Sequence, residues 1–269
     1  MSDAGLVLLD RPGQGIVRLT LNDPQTRNAI SSDAMIEALT GALMLADNEP
    51  AHRVTILTGA GRAFCSGGDI KQMAAREGMF AGTPEQISDS YRTGIQRIPR
   101  TFARLRKPVI AAVNGPAYGA GCDLAMMCDL RLAADNARFA ENFVRLGLIP
   151  GDGGAWFLPR VIGQARAAEM ALTGEPVDGP TALQWGMVSR CVAAEELPAA
   201  ALAMAAAICR NPAAAVRMTR QLLRESPLTD LETLLQRSAT LQGLAHQDPD
   251  HHEAVAAVLA KREPRFRGD

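Results

Sequence analysis

Two glycine-rich segments, each entered directly from a short and largely apolar run, constrain this chain more than any other feature. The run VTILT (54–58) leads into Gly59-Ala60-Gly61-Arg62-Ala63-Phe64-Cys65-Ser66-Gly67-Gly68-Asp69. The run VIAAV (109–113) leads into Asn114-Gly115-Pro116-Ala117-Tyr118-Gly119-Ala120-Gly121-Cys122-Asp123 and then the helical LAMM (124–127). Runs this rich in apolar and β-branched residues, without polar alternation, suit strands covered on both faces, as in a parallel sheet flanked by helices. IVRLTL (16–21), ending in the turn signal Asn22-Asp23-Pro24, and LRLA (130–133) add two more strands. Ser31 or Ser32 can cap a helix whose apolar positions Met35, Leu39, Leu43 and Ala46 follow helical spacing. Segment 71–92 is charged and polar without a strand period and is expected to be a mobile surface excursion. From about Glu195 strands give way to helices, over 199–209, 212–224, 231–244 and 253–261. The expectation is an α/β chain with a strand-rich core over 1–195 and a helical region over 196–269.

Composition narrows the function classes. A chain of 269 residues can form one large domain, or one with an appendage, and needs no disulfide or metal staple. Its 28 Lys and Arg are balanced by 29 Asp and Glu, and aromatics make up only 4%. Nucleic acid or an anionic membrane would call for a basic excess, and single strands for stacking rings, so neither partner is expected. The longest apolar stretches fall far short of the roughly 20 residues that span a bilayer. The first ten residues lack the basic-then-apolar pattern of a secretory leader. Cys65, Cys122, Cys128, Cys191 and Cys209 contain no C-x-x-C pair and read as reduced thiols of a cytoplasmic protein. His246, His251 and His252 surround Asp248-Pro249-Asp250, which reads as a helix start rather than a metal site.

Neither glycine segment matches G-x-G-x-x-G or ends in G-K-[ST], so dinucleotide and nucleoside-triphosphate sites lose their main support. Gly67-Gly68 and Gly119-Ala120-Gly121 instead leave backbone N–H groups free to face a ligand. Two such turns converging can hold a carbonyl oxygen that gains negative charge, although tight turns alone would also account for the glycines. With a helix starting near Gly119, Ala120 and Asp123 lie three apart on one face. Asp152, in Ile149-Pro150-Gly151-Asp152-Gly153-Gly154, precedes a helical stretch from Ala155, where its simplest role is an N-cap. As a second carboxylate beside an oxyanion site, it would complete an acid–base pair for proton transfer next to a carbonyl.

Taken with LNDPQTRNAI (21–30), AFCSGGDIKQM (63–73), KPVIAAVNGPAYGAGCDLAMMCDLRLAA (107–134), LGLIPGDGGAWFLPRVIG (146–163), ALQWGMVSRCV (182–192) and AAVLAKREPRFRG (256–268), these residues resemble the crotonase superfamily of enoyl-CoA hydratases and isomerases over nearly the whole chain. The resemblance implies a spiral core of ββα turns, a helical C-terminal trimerisation region, and a homotrimer or homohexamer. It implies acyl-CoA thioester substrates, with coenzyme A part of the substrate and no further cofactor or metal. The N–H groups of Gly68 and Ala120 would hold the enolate oxygen. Arg27 falls where the family commonly contacts a phosphate, Ser66 and Gly67 near the adenine, and Lys71 just after them. Asp69, Ile70, Tyr118, Gly119 and Phe143 are further substrate-binding positions, and Lys261 and Phe266 match a tail that often reaches a neighbouring subunit's CoA.

The departures bear on the reaction. Hydratases of this family use two glutamates. The first position here is Asp123, one methylene shorter, and the second is Phe143, which transfers no proton. Glu141, two residues earlier, is expected to face the other side of the segment. Asp152 is the remaining partner for Asp123 as a catalytic residue. The first expectation is proton transfer or water addition at a 2,3-double bond, as in a hydro-lyase. The alternatives are an enoyl- or dienoyl-CoA isomerase, a CoA-ester hydrolase using Asp152, or a weakly catalytic CoA-ester-binding protein.

Overall fold

In the computed structural model, which describes residues 5–267, nine strands form two sheets. The strands are β1 (Val7–Gly13), β2 (Ile16–Leu21), β3 (Val54–Gly59), β4 (Val109–Val113), β5 (Ala117–Tyr118), β6 (Leu130–Ala134), β7 (Arg138–Ala140), β8 (Val177–Asp178) and β9 (Arg190–Val192). The larger sheet has the order β1-β2-β3-β4-β6-β9 and the smaller β5-β7-β8. Only the β1–β2 pair of the larger sheet is antiparallel. The rest is parallel, so each return to it needs a crossover, and the helices supply these. Residues 1–4 of the N-terminal segment, and 268–269 of the matched tail, lie outside the described residues.

The helices are α1 (Asp33–Asn48), α2 (Ile70–Ala75), α3 (Pro84–Thr93), α4 (Arg97–Arg104), α5 (Ala120–Met127), α6 (Gly154–Ile162), α7 (Gln164–Thr173), α8 (Gly179–Gln184), α9 (Leu197–Cys209), α10 (Ala213–Glu225), α11 (Leu231–Gln247) and α12 (Pro249–Leu259). The unbroken apolar runs are buried on both faces, as their pattern requires. Leu57, Val109, Ala111 and Val113 point into the main core with α1, α4 and α5. Their alternates Ile56, Ile110 and Ala112 face a second core closed by Leu197, Ala201 and Ala205 of α9. The helical region is thereby joined to the sheet through α9. No single helix among the described residues is long and apolar enough to cross a membrane.

Ser32 is the cap of α1, its side chain accepting the N–H of Met35 at 3.2 Å. Segment 71–92, expected to be a mobile surface excursion without a strand period, contains no strand and is mostly helical. It carries most of α2, a 3-10 turn at 78–80 and most of α3. Asp69 caps α2, and Thr83 with Gln86 forms a capping box on α3. Its polar composition reflects an exposed surface, with helix ends specified locally. At the other end of the chain, Asp248 caps α12 as the sequence suggests.

Candidate active site

Asn28 organises the first glycine loop. Its side chain is fully buried, and Nδ2 donates to the carbonyls of Ala60, Ala63 and Phe64 at 3.0, 2.9 and 3.2 Å. Arg27 and Asn28 both adopt φ of 60°, an uncommon turn that the side-chain hydrogen bonds of Asn28 offset. The turn lets Arg27 O accept from Ser66 N at 2.9 Å and Gly67 O accept from Ile30 N at 2.8 Å. Ser66 Oγ donates to Thr26 O, and Ser31 Oγ accepts from Asp69 N at 3.0 Å. Arg27 and Ser66 are thus brought together.

The second glycine segment is laid against the first. Cys65 bridges Ala117 in parallel, and Tyr118 N donates to Cys65 O at 3.0 Å. Gly67, at φ 82°, has no room for a side chain: a Cβ there would stand 2.5 Å from Tyr118 O and 3.0 Å from Ala120 N. Gly119, at φ 51°, is the cap residue of α5, and Ala120 is its first residue. Among the described residues no acceptor faces the N–H of Gly68 or of Ala120. The Ala120 N–H belongs to the orphan donors of a helix N-terminus, where the helix dipole also favours negative charge.

Behind Ala120, one helical turn on, Asp123 is completely buried. Its carboxyl group lies against Gly154 at the start of α6, where a Cβ would stand 2.7 Å from Asp123 Cγ. Asp152 is not the cap of α6. Gly153 holds that position at φ 115°, no side chain caps the helix, and the Asp152 carboxyl is 3% exposed. Glu141 overturns its expected orientation. Residues two apart on a strand share a face, so alternation does not set Glu141 opposite Phe143, and β7 in any case ends at Ala140, where Glu141 turns at φ −92°, ψ 60° into a 3-10 turn at 142–146. Its carboxyl is 1% exposed and meets Asp123 and Cys122.

Asp123 stands in hydrogen-bonding reach of both Glu141 and Asp152. With all three ionised, both oxygens of Asp123, both of Glu141 and Oδ2 of Asp152 would be buried without any donor. Each pairing becomes a hydrogen bond only when a proton sits in it. Burial, then the charges of Asp152 and Glu141, push the Asp123 carboxyl well above the usual range. Burial is the first cause for Glu141, raised to about 7, and for Asp152, also raised. The sequence reading missed Glu141 and also Tyr91 of α3. The Tyr91 ring lies over Gly151, 2.7 Å from where a Cβ would be, and its hydroxyl is pushed up by burial and by the charge of Asp152. Tyr91 sits in a polar stretch, and nothing in its spacing marks it.

Most other predicted positions flank the two glycine turns. Phe143 carries its ring to Gly119, with Cζ 3.4 Å from a Cβ built there. Gly68 is faced by the methyl group of Met73 and by Phe80, whose Cζ is 3.5 Å from such a Cβ. Ile70 and Lys71 are exposed on α2, and Asp69 accepts from Lys71 N at 2.8 Å as its cap. Tyr118 is half-buried beside Gly119. Lys261 and Phe266 are not brought to the cluster within this chain. They lie after α12, on a tail held by Arg262–Glu253 ion pairing and by Arg267 N donating to Asp250.

The sequence over residues 11–269 matches the family described as Enoyl-CoA hydratase/isomerase. It is 37% identical to the 1,2-epoxyphenylacetyl-CoA isomerase of Escherichia coli, over 97% of this chain and 98% of that protein. It is 36% identical to the 2,3-dehydroadipyl-CoA hydratase of the same organism, over 95% and 96%. The fold superposes on an enoyl-CoA hydratase from Bacillus anthracis with a TM-score of 0.91 at 33% identity, covering 98% and 100% of the two chains. An enoyl-CoA hydratase from Mycobacterium smegmatis gives 0.89 at 37%, covering 97% and 98%. A crotonase-type α/β fold that carries two glycine turns and buried acids, and that matches along almost its full length, places this chain in the enoyl-CoA hydratase/isomerase family, as an acyl-CoA enzyme of that type.

Proposed function

We propose that the N–H groups of Gly68 and Ala120 hold the thioester oxygen of an enoyl-CoA while Asp123 and Asp152 move protons at the acyl carbons. The observation that carries this reading is the buried acid cluster one helical turn behind the unpaired Ala120 N–H. An oxygen gaining charge between two fixed donors acidifies the neighbouring C–H and stabilises addition at the β-carbon. The two acids divide the work by environment. Asp123, with carboxyls on both sides, keeps its proton and acts as the acid. Asp152, which has Asp123 alone as its acidic hydrogen-bond neighbour, ionises more readily and acts as the base. Arg27, Ser66, Gly67 and Lys71 form the rim that receives the CoA portion, and no further cofactor takes part.

Water addition and double-bond isomerisation share this enolate. Phe143 favours isomerisation as the second reading, because an apolar ring beside Gly119 takes the place of a group that would orient water. Incubation with crotonyl-CoA, following loss of the conjugated absorbance, measures hydration. Exchange of substrate protons in deuterated water without net hydration measures isomerase chemistry. Asp152→Asn and Asp123→Asn are each expected to lower kcat by at least a hundredfold, with CoA-ester affinity within a few-fold of wild type. Full activity in either variant overturns that residue's assignment.

The protein is further proposed to work in the cytoplasm as a homotrimer or homohexamer. Leu231, Leu235 and Leu244 of α11 and Val255, Val258 and Leu259 of α12 are exposed, an apolar area that assembly would cover. Light scattering on the eluting protein tests this, and a monomer at micromolar concentration refutes it.

A further inference from the structure

We infer that Glu141 is a positioning residue that keeps Asp123 protonated by sharing a proton with it. This inference rests on the roles proposed for Asp123 and Asp152. Glu141 is 1% exposed, and the titratable side chains that face it are Asp123 and Cys122 from α5 and Asp152 from the turn before α6. Tyr91, from α3, faces Asp152. No Lys, Arg or His among the described residues is a leading influence on any of the three acids. No three carboxylate, His or Cys side chains among the described residues converge as a metal ion requires. With neither a basic side chain nor a metal geometry to balance buried negative charge, protons must do so.

Position then decides which acid holds them. Asp123 is the middle member, in hydrogen-bonding reach of Glu141 on one side and Asp152 on the other. Glu141 gives up its own proton at about pH 7, and above that loss of the Asp123 proton would leave two buried anions in contact. In a turnover, Asp152 takes a proton from carbon or water and becomes a carboxylic acid. Asp123 gives its proton to an acyl carbon and becomes a carboxylate. The proton on Asp152 then passes to Asp123, and both return to their starting states. Throughout, Glu141 touches neither substrate nor the accepting carbon. It makes the ionised state of Asp123 costly, so that the proton returns.

Glu141→Gln tests this, because it preserves shape while its amide N–H stabilises ionised Asp123. The expected result is a basic limb of the kcat–pH profile moved down by about one unit, a kcat several-fold lower at pH 8, and an unchanged KM. Glu141→Asp, which restores a carboxyl, should return the limb toward wild type. A thermal melt at or above that of wild type establishes that Glu141→Gln is folded. An infrared titration of protonated carboxyl groups supplies a readout that needs no turnover, and the wild type should keep a signal near neutral pH that the variant loses. Turnover with an unmoved limb and an unchanged infrared titration overturns the role of Glu141. A wild type without turnover, but with the Glu141-dependent infrared signal, overturns the proposed function and leaves the shared proton standing.

Discussion

Gly154 shows how closely the site is specified by single atoms. It begins α6 and offers no side chain where the Asp123 carboxyl group lies, so an added methyl would meet Asp123 Oδ1 and Cγ directly. Asp123 is short and wholly enclosed and has no free direction in which to retreat. Gly154→Ala is therefore expected to cost about 1–3 kcal/mol of stability, as overpacking does, and to lower kcat at least tenfold by displacing the acid. A denaturant melt and an assay on the same sample check both, and an unaltered kcat would show that Asp123 does not act in place. Tyr91 makes a complementary case. Its ring covers Gly151, next to Asp152, and excludes water there. Tyr91→Ala should hydrate Asp152, relieve the burial that raises its carboxyl, and shift the acid limb of kcat/KM to lower pH. An acid limb identical to wild type would mean that the ring does not shield Asp152.

The element that carries both Ala120 and Asp123 is α5, eight residues long with every one buried, and it is braced at its far end. Asp129, two residues past its last turn, accepts from Arg220 Nε and Arg224 Nε of α10, both at 2.9 Å, and from Val109 N at 2.9 Å. Arg224 also reaches Met127 O at 2.8 Å. Because Arg220 is 7% exposed, Arg220→Ala removes a shielded guanidinium from Asp129, which Arg224 still holds, and should cost about 1.5–3 kcal/mol. A urea melt reads that loss, while kcat of the folded fraction stays near wild type if the brace is structural. None of this brace is legible in the sequence, since its partners lie 91 and 95 residues apart. The strands around it are legible, because unbroken apolar runs admit few other placements. So are the glycine turns, where backbone approaches backbone. Glu141 is not legible for a local reason: residues two apart on a strand share a face, but β7 ends at Ala140 and the 3-10 turn that follows gives no period to read. Asp152 was weighed as a cap because its position matched one, yet Gly153 provides the turn that frees its carboxyl.

At the scale of the whole molecule, the buried acids couple stability to pH with an uncommon sign. The Glu141 carboxyl rises from an ordinary 4.5 to about 7 on folding, and Asp123 and Asp152 move in the same direction. Between those values the folded chain binds protons that the unfolded chain has released, so stability falls as pH rises. For Glu141 the contribution is complete below about pH 4.5 and is lost as pH climbs through about 7, on the order of 3 kcal/mol in total. His52 acts oppositely. Burial lowers its pKa, so its contribution is lost as pH falls through the range where an unfolded histidine takes up a proton. The net curve of the wild type mixes the two, and a difference measurement separates them. Wild type and Glu141→Gln share His52, so subtracting their urea stabilities at each pH from 5 to 8 leaves the acid cluster alone. The variant should gain on the wild type steadily as pH rises. Two parallel curves would mean that replacing Glu141 changes no proton binding in the folded protein, and that Glu141 does not raise the Asp123 carboxyl.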